Sequence, residues 1–346
     1  MNMRAVTIST VILAVIAGMA VMYAMRPIML PLVLAGLLSI LFRPLVARLR
    51  AWKVPMALCL VVVLLIVVSG LWGIYSIAEA GVTSAVAKAP EYQTRVTQLS
   101  EQASTWMRDV STTLYGRPSN VKLESIVNVS TLTSTAAQWL GGVVSFVSDA
   151  FLVLLFMVFM IPAGEFFPRK LELAMKDVDW FDASHVYDRV YTDVVRYMSV
   201  KTIMNMINGL ATWALLAAFG VDFAPLLGLL SFVLHYLPNI GSVVSTILPT
   251  TVALLQFGDL GAMLSVIVPL IIVQGGIGNV IEPKVMGKSL DLSPVVVLFS
   301  LVFWGWMWGV TGMILSVPIM GVVKSILEAI TPARPLAILM GERVRG

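Results

Sequence analysis

The chain has 346 residues, of which 59% are hydrophobic and 12% are charged, and its mean hydropathy is +0.93. Ordinary soluble domains are about half apolar, whereas several runs here exceed the ~18 apolar residues that cross a bilayer. This composition excludes a soluble domain. The net charge is +4, and the lysines and arginines cluster in loops, where such residues orient membrane helices. The positive charge is therefore not evidence for nucleic-acid binding.

The first 78 residues are predicted to form three transmembrane helices that serve as a scaffold. Arg4 precedes about twenty apolar residues, a run longer than a signal-peptide core, so it is kept as the first helix. The loop from Arg43 to Lys53 contains four basic residues, and the positive-inside rule places it in the cytoplasm.

Two polar insertions interrupt the apolar runs. Residues 79–138 carry Tyr92, Leu99 and Trp106 at helical spacing among polar residues, which predicts amphipathic helices outside the membrane. A fourth transmembrane helix is predicted at residues 139–162. Residues 163–200 are a charged helical segment whose lysines and arginines predict a cytoplasmic location, as for the N-terminus and the tail at residues 331–346. Residues 79–138 are therefore placed on the extracytoplasmic side.

Two later apolar runs are too long for one crossing. The run from Ala224 to Phe257 would measure about 50 Å as a straight helix, against a hydrocarbon core of ~30 Å. Pro238 and Gly241 interrupt it near the centre, which predicts a re-entrant helical hairpin. The run from Pro294 to Val323 has three glycines in "WGWMWGVTG" and is interpreted in the same way.

The two hairpins indicate an internal repeat. Residues 201–258 and residues 259–330 each consist of a helix followed by a hairpin, and a shift of 69 positions (291 − 222) aligns Asp222 with Asp291 and Pro225 with Pro294. A chance match is the alternative to an inverted repeat of the kind found in many secondary transporters. Both aspartates are expected to cap the helix that follows them, with ion binding as the alternative.

The predicted fold is therefore all-α and polytopic. It comprises about six spanning helices plus two re-entrant helical hairpins in an inverted repeat, with an extracytoplasmic amphipathic insertion.

Enzyme signatures are sparse in this sequence. It contains two histidines and lacks the H-E-x-x-H, G-x-S-x-G and Walker-type motifs, so neither an enzyme nor ATP-driven coupling is expected. The single cysteine, Cys59, lies in an apolar run, which leaves neither a disulfide framework nor a thiolate metal site. No metal or cofactor is predicted.

Polar side chains inside the last four apolar segments are the candidates for solute binding. They lie at the tip of the first hairpin, on the flanking helices and at the tip of the second hairpin, and comprise Asn239, Ser242, Asn205, Gln274, Asn208 and Trp306. The alternative for the amides is that they hold helices together, at about 0.6 kcal/mol each, and for the tryptophan that it belongs to an interfacial belt.

Three ionisable groups are candidates for ion coupling. Asp149 lies some eight residues into the fourth helix, where an ionisable group is costly, although a hydrogen bond to a neighbouring helix is a comparable explanation. His235 can titrate near neutral pH or simply pack against its neighbours. Glu282 is the other carboxylate that a cation–proton exchange mechanism would require.

Three stretches, "YLPNIGSVVSTILP", "GNVIEPKVMGKSLDLSP" and "LVFWGWMWGVTGMILSVPIM", resemble the autoinducer-2 exporter family of bacterial inner-membrane transporters. These motifs cover about the last 120 residues, and the pattern of helices extends the similarity over nearly the whole chain. The motif residues that shape the hairpins and their connecting loop in that family correspond here to Pro238, Asn239, Gly241, Glu282, Pro283, Gly287, Gly309, Gly312 and Pro318. Pro283 is expected to end the helix that precedes this loop.

The resemblance implies export of a small solute from the cytoplasm without ATP, with autoinducer-2 as the expected substrate. It also implies a homo-oligomer, expected to be a pentamer, surrounded by membrane lipids. A sodium(lithium)/proton antiporter of the same family is the alternative. Independently of the resemblance, the paired hairpins suggest an elevator-like movement of the last two helix–hairpin pairs.

Overall fold

The computed structural model describes residues 3–115, 129–175, 183–238, 240–286 and 290–342. Within these ranges it does not describe the side chains of residues 3–8, 11, 12, 15, 103, 114, 115, 129–149, 183–186, 188 and 189. Asn239 and Gly287 lie outside the described residues. Asp149 lies on a described helix, but its side chain is not described.

Every regular element in the described part is helical. The helices are α1 (Met3–Ala24), α2 (Arg26–Ala51), α3 (Met56–Tyr115), α4 (Val129–Ala174), α5 (Ala183–Ala218), α6 (Ala224–Leu234), α7 (Ile240–Phe257), α8 (Leu260–Gly275), α9 (Glu282–Met286), α10 (Pro294–Ala329) and α11 (Arg334–Met340). A π-helical turn joins α8 to α9, and a 3₁₀ turn at Thr331–Ala333 precedes α11. No β-strand occurs within these described ranges. This confirms the all-α prediction.

Among the described residues, six helices are long and apolar enough to cross a membrane: Arg26–Ala51, Met56–Thr113, Ala150–Ala174, Ile240–Phe257, Leu260–Met286 and Pro294–Ala329. The number of candidate spanning helices matches the prediction, but their identity does not. The sequence predicted α1 and α5 as spanning helices and assigned α7 and α10 to hairpins. All six are judged by length and composition alone.

Helix α3 continues without a break from the third apolar run into the polar insertion. Its 60 residues correspond to a rise of about 90 Å, three times the ~30 Å hydrocarbon core. The half of α3 that carries Glu79, Lys88, Glu91 and Arg95 therefore extends beyond the bilayer.

The chain divides into two compact units. The first comprises residues Met1–Val67, Ser148–Lys201 and Met286–Gly346, and the second comprises Val68–Val147 and Thr202–Val285. In the first unit, α2, α3 and α4 bury one apolar cluster whose centre is Ala35, Cys59 and Met157, all fully buried. Cys59 is thus a small packing residue.

Helix α10, in the first unit, folds back on itself at Gly309. The backbone there (φ 68°, ψ −150°) is non-helical and lies in a region that only glycine adopts easily. The hydroxyl of Ser300 donates to the carbonyl of Ser316 at 3.0 Å, although these residues would stand about 24 Å apart along a straight helix. The two arms of α10, residues 294–308 and 310–329, are called the second hairpin.

In the second unit, α6 and α7 form a similar turn, here called the first hairpin. A Cβ built on Gly241 would lie 2.6 Å from the carbonyl carbon of Leu234, so the two arms approach backbone to backbone. Leu216, Ala253 and Leu270 bury the core that joins this hairpin to α5 and α8.

Two local predictions were wrong. Pro283 does not end a helix, because the helical path runs from Leu260 to Met286 through the π-helical turn Gly276–Ile281 just before it. Proline has no backbone N–H to donate, and the wider π-helical turn lets the helix continue through Pro283 without that hydrogen bond. The expected aspartate caps are also absent from α6 and α10, whose N-cap positions are Phe223, without a side-chain cap, and Ser293, which accepts from Val296 N at 3.3 Å.

Candidate functional site

Helix α5 presents a row of polar side chains on one face within the second unit. Asn205, Asn208 and Thr212 are spaced three and four residues apart, which places them on the same side of the helix. All three are essentially inaccessible, at 1%, 1% and 0% exposure. Buried polar groups in an apolar helix bundle are costly unless they are paired, so this row requires partners.

Helix α6 supplies the opposing polar groups. The hydroxyls of Thr212 and Ser231 lie 3.3 Å apart, and the Nδ1 atom of His235 lies 2.7 Å from the carbonyl oxygen of Ser231. At the end of the row, the hydroxyls of Thr202 and Tyr236 are 2.8 Å apart. We call Asn205, Asn208, Thr212, Ser231 and His235 the polar seam.

The close approach of α5 and α6 depends on two glycines. A Cβ on Gly209 would lie 2.8 Å from the carbonyl oxygen of Gly228, and a Cβ on Gly228 would lie 2.6 Å from the Cβ of Trp213. The helices therefore cross backbone to backbone beside the seam, as small residues permit in membrane proteins.

The imidazole of His235 has a defined orientation in the seam. Since a carbonyl can only accept, Nδ1 carries the proton that is donated to Ser231, and in the neutral ring Nε2 carries the lone pair. The ring is buried, at 7% exposure. The Nδ1–H bond therefore holds the imidazole against the last turn of α6.

Asn208 is the seam residue with unused hydrogen-bonding capacity. Its Oδ1 atom is buried, and no donor in the described part of the chain reaches it. An unsatisfied buried acceptor costs about 1–3 kcal/mol, so most such groups in proteins are paired. A solute hydroxyl is the kind of donor that this atom lacks.

Gln274, on α8, forms a second polar group with α7. Its Oε1 lies 3.1 Å from the hydroxyl of Ser245 and 2.8 Å from that of Thr246, and its Nε2 donates to the carbonyl of Ser245 at 3.2 Å. These contacts join α7 to α8. The sequence left two roles open for Gln274, solute binding and holding helices together, and its contacts in the structure are of the second kind.

The remaining candidates differ in their surroundings. Ser242 is exposed at the start of α7, and its carbonyl accepts from Thr246 at 2.8 Å. Trp306 is 67% exposed and stacks on Tyr23 in the first unit. Glu282 is half-buried at the start of α9. Asn239 and the side chain of Asp149 are outside the described residues.

Asp222, which was expected to cap α6, instead forms an ion pair in the second unit. Its carboxylate lies 2.6 Å from Lys88 Nζ and accepts from the Tyr92 hydroxyl at 3.0 Å, both on the polar half of α3. Its backbone N–H donates to Gln256 at 2.7 Å. Burial, followed by the hydrogen bond to Asp222, raises the pKa of Tyr92 well above its ordinary value, so the phenol remains a donor at neutral pH.

Asp291, the matching aspartate of the first unit, pairs with a lysine on the second arm of α10. Lys324 Nζ contacts the Asp291 carbonyl and lies 2.9 Å from its carboxylate and 3.9 Å from Glu328. The lysine side chain is only 6% exposed. This pair ties the loop before α10 to the end of the second hairpin.

A tryptophan cluster occupies the tip of the second hairpin. The rings of Trp304 and Trp308 lie 4.7 Å apart, buried among side chains of α1 and α2 in the first unit. Trp306, the member of this run that sequence reasoning selected, is the one that faces outward.

Sequence reasoning missed Thr212 and Ser231 as members of the buried polar seam. The spacing of Asn205, Asn208 and Thr212 would have identified the first, because three polar residues on one face of an apolar helix mark a buried contact. The pairing with Ser231 depends on how α6 packs, which the sequence alone does not specify.

Comparisons with known proteins give one consistent result. A family model described as "AI-2E family transporter" matches residues 12–332. The chain is similar to the AI-2 transport protein TqsA of Escherichia coli K12, with 32% identity over 91% of this chain and 90% of that protein. It is also similar to a presumed transport protein of Haemophilus influenzae, with 28% identity over 96% and 95% of the two chains. The presumed transport protein YhhT of Escherichia coli K12 is 28% identical over 95% and 92%.

Proposed function

The chain belongs to the AI-2E transporter family, and we propose that it exports a small hydroxylated solute, autoinducer-2, from the bacterial cytoplasm. As a family member it is a multi-pass membrane transporter and not an enzyme. The name of TqsA supports autoinducer-2 as the substrate.

The polar seam is the observation that carries this proposal. It combines buried hydroxyl, imidazole and amide groups with an acceptor, Asn208 Oδ1, that has no donor among the described residues. A neutral solute bearing several hydroxyl groups would supply that donor and would accept from the seam hydroxyls in return. Such a site needs no charged side chain, which suits an uncharged substrate.

We further propose that the two hairpins are re-entrant and related as an inverted repeat. Their tips share a feature that supports this: a Cβ on Gly241 would lie 2.6 Å from the carbonyl carbon of Leu234, and one on Gly312 would lie 2.8 Å from that of Trp304. The glycine follows the residue that it approaches by seven positions in the first hairpin and by eight in the second.

An elevator-like movement is proposed for the first hairpin in particular. The second hairpin packs its tryptophans against α1 and α2 within the first unit, and sliding would break those contacts. The depth of the hairpin tip in the membrane tests this movement. Cysteines are placed at Ser242 and at neighbouring positions of α7, and each is crosslinked to markers of known lipid depth under inward- and outward-directed gradients. A tip that keeps one depth through transport contradicts it.

The assembly is proposed to be a homopentamer in the bacterial inner membrane, with both termini in the cytoplasm. Large apolar side chains are exposed along α7 and α8, including Ile247, Leu264 and Ile272, which suits contact with lipid or with neighbouring subunits. Native mass spectrometry in detergent tests the pentamer, and a monomer at all detergent concentrations contradicts it.

Flux through the purified protein tests the function itself. Proteoliposomes loaded with labelled autoinducer-2, with a pH-sensitive dye inside and sodium outside, are expected to release the label without sodium-driven proton movement. Proton flux driven by sodium, with no release of label, would instead identify the antiporter. That alternative needs a buried carboxylate, and nothing in the described residues favours it.

A further inference from the structure

Three hydrogen-bond donors converge on the tip of the second hairpin, in the first unit. Trp308 directly precedes the turn residue Gly309, and Trp304 lies about one helical turn earlier, with its ring 4.7 Å from that of Trp308. Arg26, at the start of α2, reaches the same turn: its Nη2 atom is 3.2 Å from the position that a Cβ on Gly309 would occupy.

These donors lack acceptors in the part of the chain that the structure describes. The Nε1 atoms of Trp304 and Trp308 are buried, and neither has a hydrogen-bond partner there. Among the same residues, no carboxylate lies within 4.0 Å of the Arg26 guanidinium. Since buried indole N–H groups are normally paired, the two indoles call for acceptor atoms, and the exposed Arg26 adds a positive charge at the same turn that favours an anionic acceptor.

Flexible side chains surround the two indoles. Met19, Met22, Met29 and Met307 pack around the two indoles, and methionine side chains rearrange readily because they are unbranched and flexible. The turn at Gly309 adopts backbone angles that only glycine tolerates easily, as is common at binding sites.

We propose that this tip binds a phosphate group, with Arg26 contacting two phosphate oxygens and the indole N–H groups of Trp304 and Trp308 donating to the others. Guanidinium matches the geometry of phosphate with two parallel hydrogen bonds. A cation is excluded by the same set, since all three groups donate and none accepts. The site lies in a different unit from the polar seam, so the two would act as separate ligand positions.

The phosphate has two chemical sources, a soluble phosphate ester or an anionic lipid headgroup. Tyr23 and Trp306 stack at a ring distance of 5.7 Å and are both exposed beside the tip, which is the placement of an interfacial aromatic pair. The experiment must therefore present the phosphate in both forms.

Fluorine NMR of the full-length protein labelled with 5-fluorotryptophan tests the proposal. The peaks missing from Trp304→Phe and Trp308→Phe assign the two resonances, and the exposed Trp72 of the second unit provides an internal control. Glycerol 3-phosphate is added in detergent, with glycerol as the uncharged control. Phosphatidylglycerol nanodiscs are compared with phosphatidylcholine nanodiscs.

Saturable shifts of both resonances with glycerol 3-phosphate support a soluble ligand, and shifts only in phosphatidylglycerol support a lipid headgroup. Arg26→Gln should weaken the response at least about tenfold, since it removes the charge-assisted bonds. Arg48→Gln removes an equal charge some 33 Å further along α2 and should leave the response unchanged.

Three results would each overturn the proposal: equal shifts with glycerol and glycerol 3-phosphate, no shift under any condition, or an unaltered response in Arg26→Gln. Peak dispersion and thermal stability of each variant exclude misfolding as the cause of a lost response. The assay measures binding without transport, so its failure leaves the proposed export function standing, and failure of export leaves this site standing.

Discussion

Replacing Gly312 by alanine should destabilise the protein by separating the arms of the second hairpin. The new Cβ would lie 2.8 Å from the carbonyl carbon of Trp304, closer than the 3.0 Å that Cβ atoms require, so the arms must move apart. Overpacking of this kind costs about 1–3 kcal/mol. Loss of the Ser300–Ser316 hydrogen bond would add about 1 kcal/mol.

Helix propensity opposes this cost, because alanine is favoured over glycine by up to ~1 kcal/mol in a helix. The net loss is therefore expected to be about 1–3 kcal/mol. Unfolding in mixed micelles with increasing dodecyl sulfate measures it, and Gly164→Ala is the control, since nothing lies within 4 Å of its Cβ position in α4. The control should gain stability, and equal stabilities for the two variants would refute the backbone-to-backbone geometry of the hairpin.

Three further changes test other contacts by the same unfolding assay or by labelling. Lys324→Met should cost about 1.5–3 kcal/mol because that lysine is only 6% exposed and lies against two carboxylates, whereas Lys88→Met should cost less than about 1 kcal/mol because that lysine is 43% exposed; equal costs would contradict this. Gln274→Leu should cost about 1 kcal/mol because it removes the hydrogen bonds that join α8 to α7, and an unchanged stability would remove its helix-joining role. A cysteine at Lys284, which is exposed, should react with impermeant maleimide only from the cytoplasmic side, and labelling only from outside would reverse the proposed topology.

The sequence was sufficient for the all-α class and for the positions where two long runs turn. Gly309 stands at its turn because the backbone angles there suit only glycine, and Gly241 stands at the other because a Cβ would meet the carbonyl of Leu234. The π-helical turn before Pro283 was not foreseen, because a helix can respond to proline by ending, kinking or widening, and its packing decides among these.

The candidate site was predictable only in part. Asn205 and Asn208 were selected because amides are costly in an apolar helix, and both are buried in the seam. Asp222 and Asp291 were misassigned as caps because their lysine partners, Lys88 and Lys324, are 134 and 33 residues away in sequence. Which of three neighbouring tryptophans faces outward likewise depends on the rotation of one arm of α10.

The most direct test of the export function is the release of labelled autoinducer-2 from proteoliposomes containing Asn208→Leu. Leucine removes the unpaired acceptor, so this variant should be at least as stable as the unmodified protein. Its apparent affinity for the solute should fall about tenfold, which corresponds to the loss of one hydrogen bond of about 1.4 kcal/mol. Asn279→Leu, at an exposed position of the same unit, should transport normally. Unchanged release by a stable Asn208→Leu protein would contradict a solute site at the polar seam.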